Sequence, residues 1–167
     1  MELLFKTITH ADLQLVLDMF KAAAEKIAEK NIDHWQYWKN PPQEKIQWVE
    51  AGLKNGEFVF IYTNKGQKIG MVRILNEDVL YWGVQEQKAK YVHSLAIQEA
   101  FNGKGFGKKV LQAIAEEAKQ ARCMFLRLDA DSKNPKLCKY YEDMGFVKVG
   151  EKQLPLSVYN LYQKSLN

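Results

Sequence analysis

The chain reads as one α+β domain spanning residues 1–167. Two observations predict this. Short runs of β-branched and aromatic residues are interleaved with amphipathic stretches of helical period, in an order near β-α-α-β-β-β-α-β-α-β-β. No repeat, linker or low-complexity tract divides them, and a chain of this length with 47% apolar residues can bury about 70% of the surface it exposes when unfolded.

"ELLFKTI" opens as a short strand. Thr9 is placed as a helix N-cap with Asp12 in the first turn, where negative charge is favourable. Leu13, Val16, Leu17, Phe20, Ala24 and Ile27 then recur at helical spacing up to Lys30. The loop "NIDHWQYWKNPP" is unusually aromatic. A second helix is expected from Gln43 to Lys54, turning Ile46, Val49 and Leu53 inward and ending near Gly56. "EFVFIYTNKGQKIGMVRIL" reads as a hairpin about "NKG", and "DVLYWG" as a further short strand. "KYVHSLAI" is rich in β-formers.

The next helix is expected over "GFGKKVLQAIAEEAKQAR", with Phe106, Val110, Leu111, Ile114 and Ala118 on one face. "CMFLRLDA" reads as a buried strand. "NPKLCKYYEDMGF" is a short helix capped by Asn134, begun by Pro135 and ended by Gly145. "FVKVG" and "VYNLYQK" are final strands, with "EKQLPLS" as the loop that joins them.

Composition removes several classes. No apolar run approaches the roughly 20 residues of a membrane helix. "MELLFKTITH" lacks the pattern of a secretory signal, so a cytoplasmic protein is expected. The two cysteines, Cys123 and Cys138, are too few for a disulfide framework, and the three histidines show no metal-ligand spacing, so no metal is expected. A net charge of +4 favours anionic ligands only weakly. The lysines are diluted by glutamates such as Glu116 and Glu117 and no nucleic-acid motif occurs, so neither nucleic acid nor membrane is an expected partner.

The informative stretch is "FNGKGFGKKV", residues 101–110. It comes after a strand and opens a helix. The first amides of a helix have no partner within it, the dipole adds about half a positive charge there, and glycine lets a phosphate approach the backbone. The dinucleotide pattern G-x-G-x-x-G fails, because its third glycine would fall on Lys108. The triphosphate pattern G-x-x-x-x-G-K-[ST] fails as well.

With Asn102, Gly105 and Gly107, the loop instead resembles the [QR]-x-x-G-x-[GA] pyrophosphate loop of the GNAT N-acetyltransferases. "YVHSLAI" is similar to the fourth strand of that family. "FLRLDADSKNPKLCKYYEDMGF" is similar to its fifth strand and subsequent helix, including N-x-x-[AL]-x-x-x-Y-E-x-x-G-F. "YWG" resembles one bacterial branch with small or unknown acceptors. One position departs: Asn102 stands where the family has Gln or Arg.

The resemblance implies a GNAT-like fold, a mixed, mostly antiparallel central sheet flanked by about four helices, with acetyl-CoA as co-substrate and a small-molecule amine as acceptor. It implies that Asn102, Gly103, Lys104, Gly105, Phe106, Gly107 and Lys108 wrap the pyrophosphate. Leu95, Ala96 and Ile97 would pair with the pantetheine arm, and Asn134 would face it. Trp35, Trp38 and Trp82 are the candidates for acceptor binding, the first two also serving equally well as a roof on the core. Homodimers are common among similar proteins, although no stretch here identifies an interface.

Acyl transfer needs an unprotonated amine and a stabilised leaving thiolate. An alkyl amine of pKa about 10.4 is neutral in only about one molecule in 2,500 at pH 7. Tyr141 falls on the family's general-acid position and, as a phenol near pKa 10, stays protonated to serve the sulfur. His93 is the candidate base, with Asp129, Asp131 and Glu99 behind it. The expected activity is acetyl transfer to a primary amine by direct attack in a ternary complex. An acyl-CoA sensor without turnover is the alternative.

Overall fold

Residues 2–167 are described by a computed structural model. Seven strands form one sheet in the order β1-β2-β3-β4-β5-β7-β6: β1 (Leu3–Thr7), β2 (Phe58–Thr63), β3 (Lys68–Leu75), β4 (Ala89–Ile97), β5 (Phe125–Asp131), β6 (Val147–Gln153) and β7 (Val158–Ser165). The α-helices are α1 (Leu13–Glu29), α2 (Gln43–Lys54), α3 (Val79–Trp82), α4 (Phe106–Gln120) and α5 (Pro135–Asp143). The β4–β5 pair is parallel, whereas β1–β2, β2–β3, β5–β7 and β6–β7 are antiparallel. The expected α+β class and mixed sheet are observed. The chain forms two compact units, the first holding residues up to Arg73 and Ser94–Gly107, the second Ile74–His93 and Lys108–Asn167.

In the first unit, α1 buries Val16, Phe20 and Ala24 of the expected stripe together with Met19, while Leu13, Leu17 and Ile27 are partly buried. Phe20 stacks on Trp38 with ring centres 4.0 Å apart and also meets Trp35 and Phe58 edge-on. Thr9 does not cap α1. The chain first makes a 3-10 turn over His10–Asp12, so that Asp12 takes the N-cap position and α1 begins at Leu13. Arg73 is buried, yet its charge is answered: Nε and Nη2 donate to Glu57 at 2.8 and 2.7 Å, and the guanidinium lies 4.1 Å over the Trp48 ring. Gly70 is required by close packing, since a Cβ there would collide with the Ala96 carbonyl on β4.

In the second unit, "DVLYWG" is a single helical turn, α3, and not the expected strand. The Trp82 backbone N–H donates to the Asp78 carbonyl at 2.8 Å, Gly83 ends the turn at φ 67°, and Trp82 is held against Tyr91 and Ala89. Tertiary packing of one indole therefore overrides the β-propensity of Val-Leu-Tyr-Trp. The loop expected over "EKQLPLS" is shorter, because Glu151–Gln153 extend β6 and only residues 154–157 remain as a turn. Asn134 caps α5 as expected, its Oδ1 accepting from the Leu137 N–H at 3.2 Å. Arg127 is buried among neutral partners, donating to Tyr91 Oη at 2.9 Å and lying 4.9 Å from the Trp82 and Phe125 rings.

Candidate active site

Pairing between β4 and β5 covers only Ala89–Val92 with Phe125–Leu128. Two residues later Ser94 sits at φ 56°, in the left-handed region a non-glycine residue avoids. A residue of this kind in mid-strand breaks the alternation of the backbone and re-aims the residues after it, Leu95, Ala96 and Ile97. Nothing in "VHSLA" signals it, because serine carries no conformational tag of the kind glycine does.

After β4 the chain makes a 3-10 turn over Glu99–Phe101, runs extended through Asn102, and reaches α4 by way of Gly103 at φ 72° and Gly105 at φ 77°. No atom lies within 4 Å of where a Cβ would stand on either glycine. The glycines are therefore demanded by backbone angle, and the space above them is open to a ligand. The amides of the first turn of an α-helix point out along its axis, and here they do so at the end of α4 that the glycine turn leads into. The Phe106 side chain is buried against Phe101, so that residue can offer only its backbone. Lys104 donates to the Ala100 carbonyl at 2.8 Å, while Lys108 is exposed.

The second unit gathers three titratable groups. His93 Nε2 lies 2.6 Å from Asp78 Oδ2, and Nδ1 lies 3.3 Å from Asp129 Oδ1. The side chains are 11%, 7% and 10% exposed, in the order His93, Asp78, Asp129. The Tyr81 ring packs on the imidazole at 4.9 Å. Burial pushes the Asp129 carboxyl up from 3.8 to about 6; the imidazole opposes this, and the charges of Asp78 and Asp131 add to it. The ligand atoms lie within 4.8 Å of one another, near enough for a cation. Nε2 is within hydrogen-bond distance of Asp78, whereas Nδ1 meets Asp129 as a charge contact only. Spacing along the chain could not reveal this trio, since positions 78, 93 and 129 lie on three separate elements.

Tyr141 is half-buried on α5, against Phe146 and Tyr162, whereas its neighbour Tyr140 is exposed. Burial raises the Tyr141 phenol above its usual range and the Asp129 charge raises it further, so it stays protonated. Of the other carboxylates considered, Asp131 accepts from Ser157 Oγ at 2.5 Å and from the Lys133 N–H at 2.9 Å, and Glu99 pairs with Lys26 at 2.5 Å on the surface. Asp129 is the member of that group placed against His93, beside Asp78. The Asn134 Oδ1 atom serves the α5 cap. Trp38 and Trp82 are buried in apolar packing and Trp35 is partly buried against Phe20; the Trp82 Nε1 is buried with no hydrogen-bond partner among the described residues.

Residues 23–146 match the profile of the Acetyltransferase (GNAT) family, and the chain belongs to that family. Its activity is of the acetyl-CoA-dependent N-acetyltransferase class. It is similar to the uncharacterized N-acetyltransferase YesJ of Bacillus subtilis, 22% identical over 94% of this chain and 87% of that protein. Its fold is similar to a GNAT-family acetyltransferase structure from Listeria monocytogenes, with TM-score 0.78 and 23% identity over 99% of this chain and 95% of that one. It is also similar to the aminoglycoside acetyltransferase AAC(6')-Ib in complex with coenzyme A and kanamycin, with TM-score 0.71 and 17% identity over 98% and 95% of the two chains.

Proposed function

We propose that the protein transfers the acetyl group of acetyl-CoA to a primary amine of a small molecule, by direct attack within a ternary complex. The observation that carries this is the pair of left-handed glycines, Gly103 and Gly105, opening α4 under unfilled space. The backbone from Gly103 to Lys108 would hold the pyrophosphate, with the positive end of α4 beneath it. The backbone at Leu95–Ile97, re-aimed after Ser94, would hold the pantetheine arm, and its N–H groups would take the charge that grows on the acetyl oxygen. Asn134 would face the arm while still capping α5. Tyr141 would protonate the departing sulfur, and the His93 cluster would take the amine's proton.

Kanamycin in a fold neighbour supports a small, amine-bearing acceptor. Trp35 is the aromatic candidate that keeps some exposure to meet one, whereas Trp38 and Trp82 would act from within the packing. We place the protein in the cytoplasm, consistent with the absence, among the described residues, of any helix long and apolar enough to cross a membrane.

The experiment is calorimetric binding of acetyl-CoA, then thiol release against a panel of amines. Gly105→Ala should weaken acetyl-CoA binding by roughly tenfold or more, equivalent to about 1.4 kcal/mol. Unaltered binding in that variant would remove the loop from the reading. Binding without thiol release from any amine would favour the sensor.

A further inference from the structure

Two carboxylates and one imidazole are shut in together on Asp78, His93 and Asp129. With every group ionised the cluster carries a net charge of −1, and a buried excess charge is costly. One added proton makes it neutral. Both imidazole nitrogens are turned to carboxylates, so His93 cannot take a proton from a substrate without giving up one of these contacts. Asp129 differs: its Oδ1 is buried and has no hydrogen-bond partner among the described residues, although it stands 3.3 Å from Nδ1. That oxygen is the atom with an empty proton position.

We propose that Asp129 is the proton acceptor of the acetyl transfer, and that Asp78 is a positioning residue that acts on it through His93. This rests on the acetyl-transfer reading above. Asp78 accepts from Nε2 and fixes the ring so that Nδ1 faces Asp129. As the amine nitrogen bonds to the acetyl carbon it becomes positive and acidic, which brings its proton within reach of a carboxylate. The N–H bond breaks toward Asp129. The C–S bond breaks with its electron pair going to sulfur, and the Tyr141 phenol gives that sulfur its proton. Asp129 then returns the amine's proton to the Tyr141 phenolate, so both groups end as they began and free thiol and amide leave. The charged and titratable groups facing Asp129 are His93, Asp78, Asp131 on its own strand, and the phenols of Tyr141 and Tyr159.

The test is the pH profile of kcat/KM with one acceptor, whose own ionisation is common to all variants. Asp129→Asn should lower kcat/KM by roughly a hundredfold and abolish the enzyme's acid limb. His93→Gln removes the cation beside Asp129, and should move that limb up by about one pH unit while leaving it visible. Retention of rate and limb in Asp129→Asn overturns the proposal. So does loss of the limb in His93→Gln, which would make the imidazole itself the base. Asp78 is read without turnover: in NMR of histidine-labelled protein, Asp78→Asn should lower the His93 titration midpoint by about one unit, and an unmoved midpoint removes its role. If the parent acetylates no amine at all, the acetyl-transfer reading fails, while the His93 midpoint still reports whether the cluster shares its proton.

Discussion

Asp129 Oδ1 and His93 Nδ1 lie 3.3 Å apart, yet the contact is a charge interaction out of line for a hydrogen bond. Burial raises this carboxyl to about 6 even though the neighbouring imidazole pulls it down. Between pH 4 and 6 the folded protein then binds more protons at this site than the unfolded chain, whose aspartates titrate near 3.9. The stability contributed by this group therefore falls as pH rises through that window, by roughly 3 kcal/mol in total. Asp129→Asn should gain on the parent by about that amount between pH 4 and pH 7.5. Urea unfolding of both proteins at the two pH values checks this, and an equal stability difference at both would refute it.

Gly70 faces the Ala96 carbonyl so closely that no side chain fits. The neighbour is backbone, so relief requires strands to move rather than a rotamer to turn. Gly70→Ala should destabilise the protein by about 3 kcal/mol, seen as a lower midpoint of thermal or urea unfolding. Because Ala96 belongs to the stretch that would hold the pantetheine arm, acetyl-CoA binding should weaken in the same variant.

Trp38 stacks on Phe20 at 4.0 Å with an interplanar angle of 11°. Trp38→Ala should cost roughly 3–5 kcal/mol in urea unfolding, as large-to-small changes in cores do. A loss below about 1 kcal/mol, with a raised KM for the amine, would instead give this ring to the acceptor.

The parts of the fold legible in the chain are those in which local chemistry and packing agree. The α4 stripe of Val110, Leu111, Ile114 and Ala118 is buried as its period requires, and Asn134 caps α5 because the asparagine side chain competes for the very amide that needs a partner. Gly103 and Gly105 were legible as a turn between strand and helix, and their positive φ is one that glycine adopts freely. Ser94 made the same excursion without announcement. The strand read into Val79–Trp82 failed because the burial of one indole set the backbone. The aromatic loop left pocket and core equally open, and only the Phe20 stack shows which side Trp38 packs on. The buried trio of Asp78, His93 and Asp129 was the least legible feature. His93 stood out by residue type, while the two carboxylates that enclose it come from a loop and a strand that folding alone brings near.

Tyr141 is held by Phe146 and Tyr162, with ring centres 5.9 and 6.2 Å away, so removing its hydroxyl should leave the ring in place. Burial and the Asp129 charge both favour the protonated phenol, and the group therefore carries a proton to give at any pH where a protein works. A donor to the leaving sulfur acts only as the C–S bond breaks. Tyr141→Phe should accordingly lower kcat by roughly a hundredfold, with acetyl-CoA binding within about twofold of the parent. The loss should shrink for an acyl donor whose thiol is more acidic than that of coenzyme A, because such a sulfur needs no proton to leave. Steady-state rates with the two donors decide the matter: an equal loss for both would assign Tyr141 to packing, and a loss confined to the less acidic thiol would assign it to the sulfur.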